Sequence, residues 1–223
     1  LTFERLKTLC SGTELSVGEI GSAFSTLALE AAYHRVPWIT VDPFFDYSHE
    51  LAPIMNLLLT RLGEANPDLK QWLKNNPTEK NKICESHIKT TLENLDKALF
   101  SVTIMTNTLP KYSGNRDVFF ETQLPALLRV TDREAYIFPY SIWEEGADGN
   151  LQCTERFYQN PAAIMKSESI AKSLGFDFEL RNAISIGADS PVLFAKTWFP
   201  GLSTDFLTEV NTQSVAVFTK RLQ

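Results

Sequence analysis

Cysteine is scarce in this chain. Cys10, Cys84 and Cys153 are three among 223 residues, odd in number and widely spaced. They match neither a disulfide framework nor the paired spacing of a zinc site, and they suit a reducing compartment. Histidine is equally thin: His34, His49 and His87 have no metal-ligand spacing and none pairs with a convincing nucleophile. No metal is therefore expected, and no catalytic residue is assigned. Ser22 and Ser25 lack a Gly-x-Ser-x-Gly elbow, which disfavours a hydrolase. No apolar run approaches the length of a membrane span and no signal-peptide pattern is visible, so no transmembrane segment is expected and the location reads as cytoplasmic. The chain opens at Leu1 rather than methionine, which leaves room for a leader ahead of it. A basic excess is missing too. With a net charge of −6 and a pI of about 5.2, no broad surface for nucleic acid or anionic membrane is expected.

What is present suits one α/β domain with a full core. The stretch from Glu14 to Pro43 organises it. Val17 and Ile20 belong to an extended apolar run that turns at Gly21. Phe24, Leu27, Ala28 and Ala31 then recur at helical spacing. Val36 to Val41 is a β-branched apolar run of the right length for a buried strand. Strand, tight turn, helix and strand make a βαβ unit with a right-handed crossover expected. In such a unit the first turn offers backbone N–H groups and a helix N-terminus to a ligand, and an acid closing the second strand can accept hydrogen bonds from a ribose. Glu19 and Gly21 stand at the first place and Asp42 at the second.

These residues resemble the first motif of the class I S-adenosylmethionine-dependent methyltransferases, acid-x-Gly-x-Gly-x-Gly, followed by an acid at the end of the second strand. Glu19, Gly21, Ala23 and Ser25 fall on the acid and the three glycine places in turn. Only the first glycine is kept. Phe100 to Pro139 resembles the same family's succession of fourth strand, loop, helix, "RV", turn and fifth strand, most closely a bacterial branch with similar "YS", "LLRV" and "IFP" segments. The resemblance implies an α/β, Rossmann-like methyltransferase sheet, mainly parallel, with a terminal antiparallel hairpin and helical additions. It implies S-adenosylmethionine as cofactor, held by Glu19, Gly21, Ser22, Ala23, Asp42 and Asn107. Asn107 and Tyr112 lie after the fourth strand, where family members place ligand contacts; the alternative there is a turn-forming asparagine and a surface aromatic. Asn107 is outside any Asn-Pro-Pro-aromatic motif, so methylation of a base amino group is not supported. Glu19 has a structural alternative as a buried acid, Asp42 one as a turn residue, and Phe44, Phe45 and Tyr47 read as a pocket wall or as loop packing.

Along the rest of the chain, Phe3, Leu6 and Leu9 predict a lead-in helix ending near Gly12. A helix is expected from Ser48 to Gly63, another from Asn66–Pro67 through Leu73, and a third from Thr78. The stripe Cys84, Ile88, Leu92, Leu95, Leu99 extends that third helix toward the next strand; Lys82 to Glu85 as a short third strand is the less favoured alternative, and no residue is placed on the adenine side. Phe100 to Thr106 reads as the fourth strand, Asn115 to Leu128 as a helix with Pro125 inside it, and Glu134 to Tyr140 as the fifth strand. Glu144 to Asn150 reads as an acidic loop. Asn160–Pro161 starts a helix carrying Ile164, Met165, Ile170 and Leu174, and Phe176 to Ile184 and Val192 to Thr197 read as the terminal hairpin. Val215 to Lys220 reads as an edge strand guarded by Lys220 and Arg221. The domain is expected over 1–199, with a helical insertion at about 48–99 and 200–223 as a C-terminal extension packed on it. The leading functional reading is a methyltransferase acting on an unidentified small molecule or protein. Its rival is a degenerate methyltransferase-fold module that binds a partner without catalysis, and a nucleotide-binding protein of another doubly wound family is a third.

Overall fold

The computed structural model describes residues 1–21, 26–43, 66–79, 86–106, 116–138, 140–145, 151–182 and 214–221. The first helix, α1 (Phe3–Cys10), is capped by Thr2, whose hydroxyl accepts from the Arg5 N–H at 3.2 Å. Then follow β1 (Ser16–Ile20), α2 (Thr26–His34) and β2 (Trp38–Val41), the expected βαβ unit. Next is α3 (Pro67–Asn75), started by the Asn66 cap and Pro67 in its first turn as the sequence predicts. The chain continues through β3 (His87–Ile88), a 3₁₀ turn at Leu92–Asn94 and β4 (Phe100–Thr106). A helical passage runs through α4 (Arg116–Val118), a π-helical turn (Phe119–Gln123) and α5 (Leu124–Val130) into β5 (Thr131–Phe138). β6 (Ser141–Glu145), β7 (Leu151–Arg156), α6 (Pro161–Ser173), β8 (Phe176–Asn182) and β9 (Ser214–Lys220) complete it.

Seven strands form one sheet in the order β3-β2-β1-β4-β5-β9-β8. The first five run parallel, and β9 lies antiparallel between β5 and β8. Strand order reverses between β1 and β4, which is where open α/β sheets leave a crevice at their carboxyl ends. The sheet is covered on both faces. Val17, Val102, Tyr136, Val215 and Val217 pack on α1 and on Ala31 of α2, whereas Phe100, Met105, Ile137, Ala216 and Phe218 pack on Phe119, Phe120, Leu124 and Leu127. Alternate residues of one strand thus serve opposite layers, the arrangement a doubly covered sheet requires.

The fold class expected from the sequence is the fold observed, with local differences. The helical stripe does not run on to Leu99. His87–Ile88 pairs with Thr40–Val41 as a short parallel third strand, and Leu92 and Leu95 enter the core from a single 3₁₀ turn. Apolar spacing of three and four residues is met here by successive short elements, because an open sheet edge beside β2 outweighs local helical preference. Among the described residues the antiparallel partner of β8 is Ser214–Lys220; the expected hairpin strand at 192–197 lies outside the described residues. Part of the expected C-terminal extension is therefore an interior strand. Val215, Ala216, Val217 and Phe218 are all fully buried, as a strand with covered faces should be. Lys220 and Arg221 are not edge guards: the Lys220 ammonium sits 4.4 Å from the Phe176 ring centroid, and Arg221 pairs with Asp177 at 2.7 Å.

Glu144 and Glu145 belong to a strand, since β6 and β7 form a separate antiparallel pair. On α6 the buried side is the small-residue row Ala163, Ser167 and Ala171, while Met165 is 68% exposed. Pro125 sits in the first turn of α5, directly after the π turn, where the Leu124 N–H reaches the Phe119 carbonyl. Proline has no N–H to continue a regular ladder, and the wider turn carries the chain past that position. The helix expected over Ser48–Gly63 lies outside the described residues.

Two predictions follow from this packing. A Cβ on Gly18 would lie 2.5 Å from Cγ of the buried Phe100 ring. Gly18→Ala should cost about 1–3 kcal/mol, read as a lower guanidinium midpoint, and Phe100→Leu added to it should recover part of the loss. The second concerns alkaline pH. Burial first, and then the Glu134 carboxylate that accepts its hydroxyl, push the Tyr136 phenol above its ordinary value; burial alone does the same to Tyr140. Such a group contributes stability that is fully present below about pH 10, the unfolded tyrosine value, and lost as pH climbs through the folded value. Tyr136→Phe should reduce the slope of that alkaline loss by about one proton in urea titrations above pH 10; an unchanged slope would contradict the assignment.

Candidate cofactor crevice at the strand ends

β1 carries Glu19, Ile20 and Gly21 into the crevice end of the sheet. Gly21 has φ +68, the left-handed region where an L side chain is strained, and its N–H donates to the Val41 carbonyl at 2.7 Å. The turn leaving β1 is thereby tied to the end of β2. Asp42 follows at once; it is 4% exposed and its N–H donates to the Ile88 carbonyl at 3.2 Å. Ile20 pairs with Val41 on one side and with Met105 on the other. Gly21, Asp42 and the end of β4 are therefore neighbours across three adjacent parallel strands. Of the sequence-predicted residues, the structure brings Gly21 and Asp42 together at one end of the sheet, as expected. Ser22, Ala23, Ser25, Asn107, Tyr112, Phe44, Phe45, Tyr47 and His49 lie outside the described residues.

Glu19 lies beside Gly21 and Asp42, near the end of β1. It is 1% exposed, and one carboxylate oxygen accepts the Trp38 indole N–H at 2.9 Å. That oxygen is engaged in holding β1 to β2, which is the structural role of a buried acid. Sequence reasoning passed over Trp38 because its indole reads as an apolar strand residue; the adjacent-strand placement of the two was the available signal. Thr40 and His87 were missed likewise. The Thr40 hydroxyl and His87 Nδ1 are 2.9 Å apart, joining β2 to the third strand. His34 stacks on Phe3 with ring centroids 4.6 Å apart.

Other polar groups near the core are also accounted for structurally. Tyr140, just beyond β5, shares a 2.5 Å hydrogen bond with Ser167, whose hydroxyl also donates to the Ala163 carbonyl. Burial pushes the Cys10 thiol up, which suits a core cysteine rather than a nucleophile. Gln123 Oε1, in the π turn, is a buried acceptor without a hydrogen-bond partner among the described residues. Among the described residues, no group of three or more His, Cys, Asp or Glu could hold a metal ion, and no helix is long and apolar enough to cross a membrane.

The Glu19–Trp38 contact is testable. Trp38→Phe removes one donor to a buried carboxylate, and should lower stability by about 1–3 kcal/mol in urea unfolding at neutral pH. Glu19→Gln, which keeps an acceptor and loses the charge, should cost less than Trp38→Phe.

No protein-family model matches the sequence, and no curated protein matches it. Solved structures do align over nearly the whole chain. The antibiotic-resistance methyltransferase Kmr aligns with 12% identity over 99% of this chain and 94% of its own, at a TM-score of 0.49. The aminoglycoside resistance methyltransferase NpmB1 aligns with 14% identity over 99% and 94%, at 0.48. Magnesium protoporphyrin IX methyltransferase from Synechocystis PCC 6803, solved with bound SAM, aligns with 11% identity over 98% and 76%, at 0.46. By the order and direction of its own strands, this chain has a Rossmann-like sheet with an antiparallel closing pair.

Proposed function

We propose that the protein is an S-adenosylmethionine-dependent methyltransferase acting on a small molecule or a protein. The observation that carries this reading is the pairing of the left-handed Gly21 turn with the buried Asp42 at the switch point of a parallel sheet. Those residues fit the cofactor's chemistry. A turn without a Cβ at Gly21 admits close backbone approach, and an acid closing β2 can accept the two hydroxyls of a ribose. Ser22 and Ala23 follow Gly21 in the sequence, and Asn107 follows the last residue of β4; each is assigned to the same site on sequence position. Glu19 acts on this site through the strand it anchors.

When bound, the cofactor supplies an activated methyl group. The protein's task is then to hold donor and acceptor in line and to exclude water. No general base is needed unless the acceptor must lose a proton. A cytoplasmic setting goes with this reading, in keeping with the three scattered cysteines.

Calorimetry with S-adenosylmethionine and its demethylated product should show saturable binding. Asp42→Ala should weaken it about 10- to 100-fold, the value of hydrogen bonds to a charged acceptor, while the circular dichroism spectrum is retained. Ala23→Gly should preserve or improve affinity, since it removes a Cβ from the turn. Absence of saturable binding at millimolar cofactor, with the fold intact, would replace this reading by the non-catalytic partner-binding module, for which Ala23 and Ser25 in place of glycines are the sequence argument.

A further inference from the structure

A second cleft lies away from the crevice. About 580 Å³ in volume, it opens between α2, the start of β2, the end of α3 and the segment entering β3. Ligand pockets fall in the range of about 300–1,000 Å³. Its strand residues reach from Trp38 to Thr40, which lies two residues before Asp42 and so about 7 Å from it along β2. Ala28 and Ala32 of α2 contribute little side chain, which leaves the space open. Trp38, Trp72, Arg35, Glu79, Asn76 and Ser86 supply the remaining chemistry.

The two indoles are fixed walls. Trp38 is held through Nε1 by Glu19, and Trp72 meets Tyr33 edge to face at 5.6 Å. Asn76 donates its side-chain N–H to the Trp72 carbonyl at 2.9 Å, which leaves its Oδ1 as an acceptor. Arg35 is the unexpected residue. It ends α2 at φ +58, a position helices usually give to glycine because a Cβ there is strained. Its backbone serves as an ordinary cap, with N–H donated to the Ala32 carbonyl at 3.1 Å. Its exposed side chain forms no ion pair or hydrogen bond among the described residues. A strained backbone under a side chain with no ion pair or hydrogen bond among the described residues points to a ligand.

We propose that this cleft binds a small aromatic zwitterion of the aromatic α-amino acid class. Arg35 takes the carboxylate through its planar fork, Glu79 accepts from the ammonium, and the Trp38 and Trp72 indoles enclose the ring. Opposite charges on one cleft select against ligands carrying only one of them: a plain anion meets Glu79, and a plain cation meets Arg35. The site is independent of the methyltransferase reading and stands or falls separately from it.

The test is calorimetry on the whole chain with L-tryptophan, tryptamine and indole-3-acetate, with and without saturating S-adenosylmethionine. L-Tryptophan should bind saturably, and each single-charge analogue should bind at least about tenfold more weakly, a change of ~1.4 kcal/mol. Arg35→Gly should also weaken L-tryptophan at least about tenfold, with an unchanged or higher melting temperature, because glycine suits the left-handed position. Saturating S-adenosylmethionine should leave L-tryptophan binding unchanged. No saturation in the millimolar range, equal affinity for tryptamine, equal affinity in Arg35→Gly, or displacement by S-adenosylmethionine would each overturn the proposal.

Discussion

A carboxylate carried into the middle of a covered sheet must find a donor, and the Trp38 indole gives Glu19 one at 2.9 Å. Every residue of β1 is buried, and β1 is the strand against which β2 and β4 both align. An unanswered charge there would oppose the pairing that sets the crevice, since an ion in low-dielectric surroundings is costly unless hydrogen-bonded. With the contact made, β1 and β2 are linked by a side-chain bond as well as by the ladder, and Gly21 adds its own N–H to Val41 at the crevice end. The relative height of the turn and of Asp42 follows from those links.

The same economy recurs through the interior. Thr103 and Thr131 share a 2.6 Å hydrogen bond between β4 and β5, and Thr131 also donates to the Leu127 carbonyl at 2.7 Å, fastening α5 to the strand that follows it. Ser101 donates to the Leu9 carbonyl at 2.7 Å, closing the end of α1 onto β4. Arg5 bonds Glu134, which also accepts from Tyr136, so α1 is fixed to β5 at its other end. Short polar side chains placed where backbone carbonyls would otherwise lack donors hold the helices at fixed heights on the sheet. The two layers therefore meet the sheet in a defined register, which apolar contact alone does not enforce.

β2 is used twice. Its carboxyl end, at Val41 and Asp42, faces the crevice, while its amino end, at Trp38 and Thr40, backs the cleft under α2 and α3. Thr40 is shared with His87, so the short third strand steadies both. Trp38, Thr40 and Asp42 share one face of the strand, so the two sites are separated along its length and not by its alternation.

The sequence alone determined the elements whose signals are local. The βαβ unit, the glycine at the first turn, the acid at the second strand, β4 and the caps of α3 and α6 were all legible, because periodicity, turn chemistry and capping are properties of neighbouring residues. Val215 to Lys220 read as a strand but not as an interior one, since nothing local states that β5 and β8 lie on either side of it. The third strand was hidden for a related reason: two residues at a sheet edge carry no period, and the leucines after them fit a helical stripe equally well. In the site, Gly21 and Asp42 were legible as a pair. The engagement of Glu19 by Trp38, the Thr40–His87 bond and the cleft that Arg35 borders were decided only by tertiary structure, where strand pairing and the packing of α2 and α3 bring together side chains that no spacing in the sequence relates.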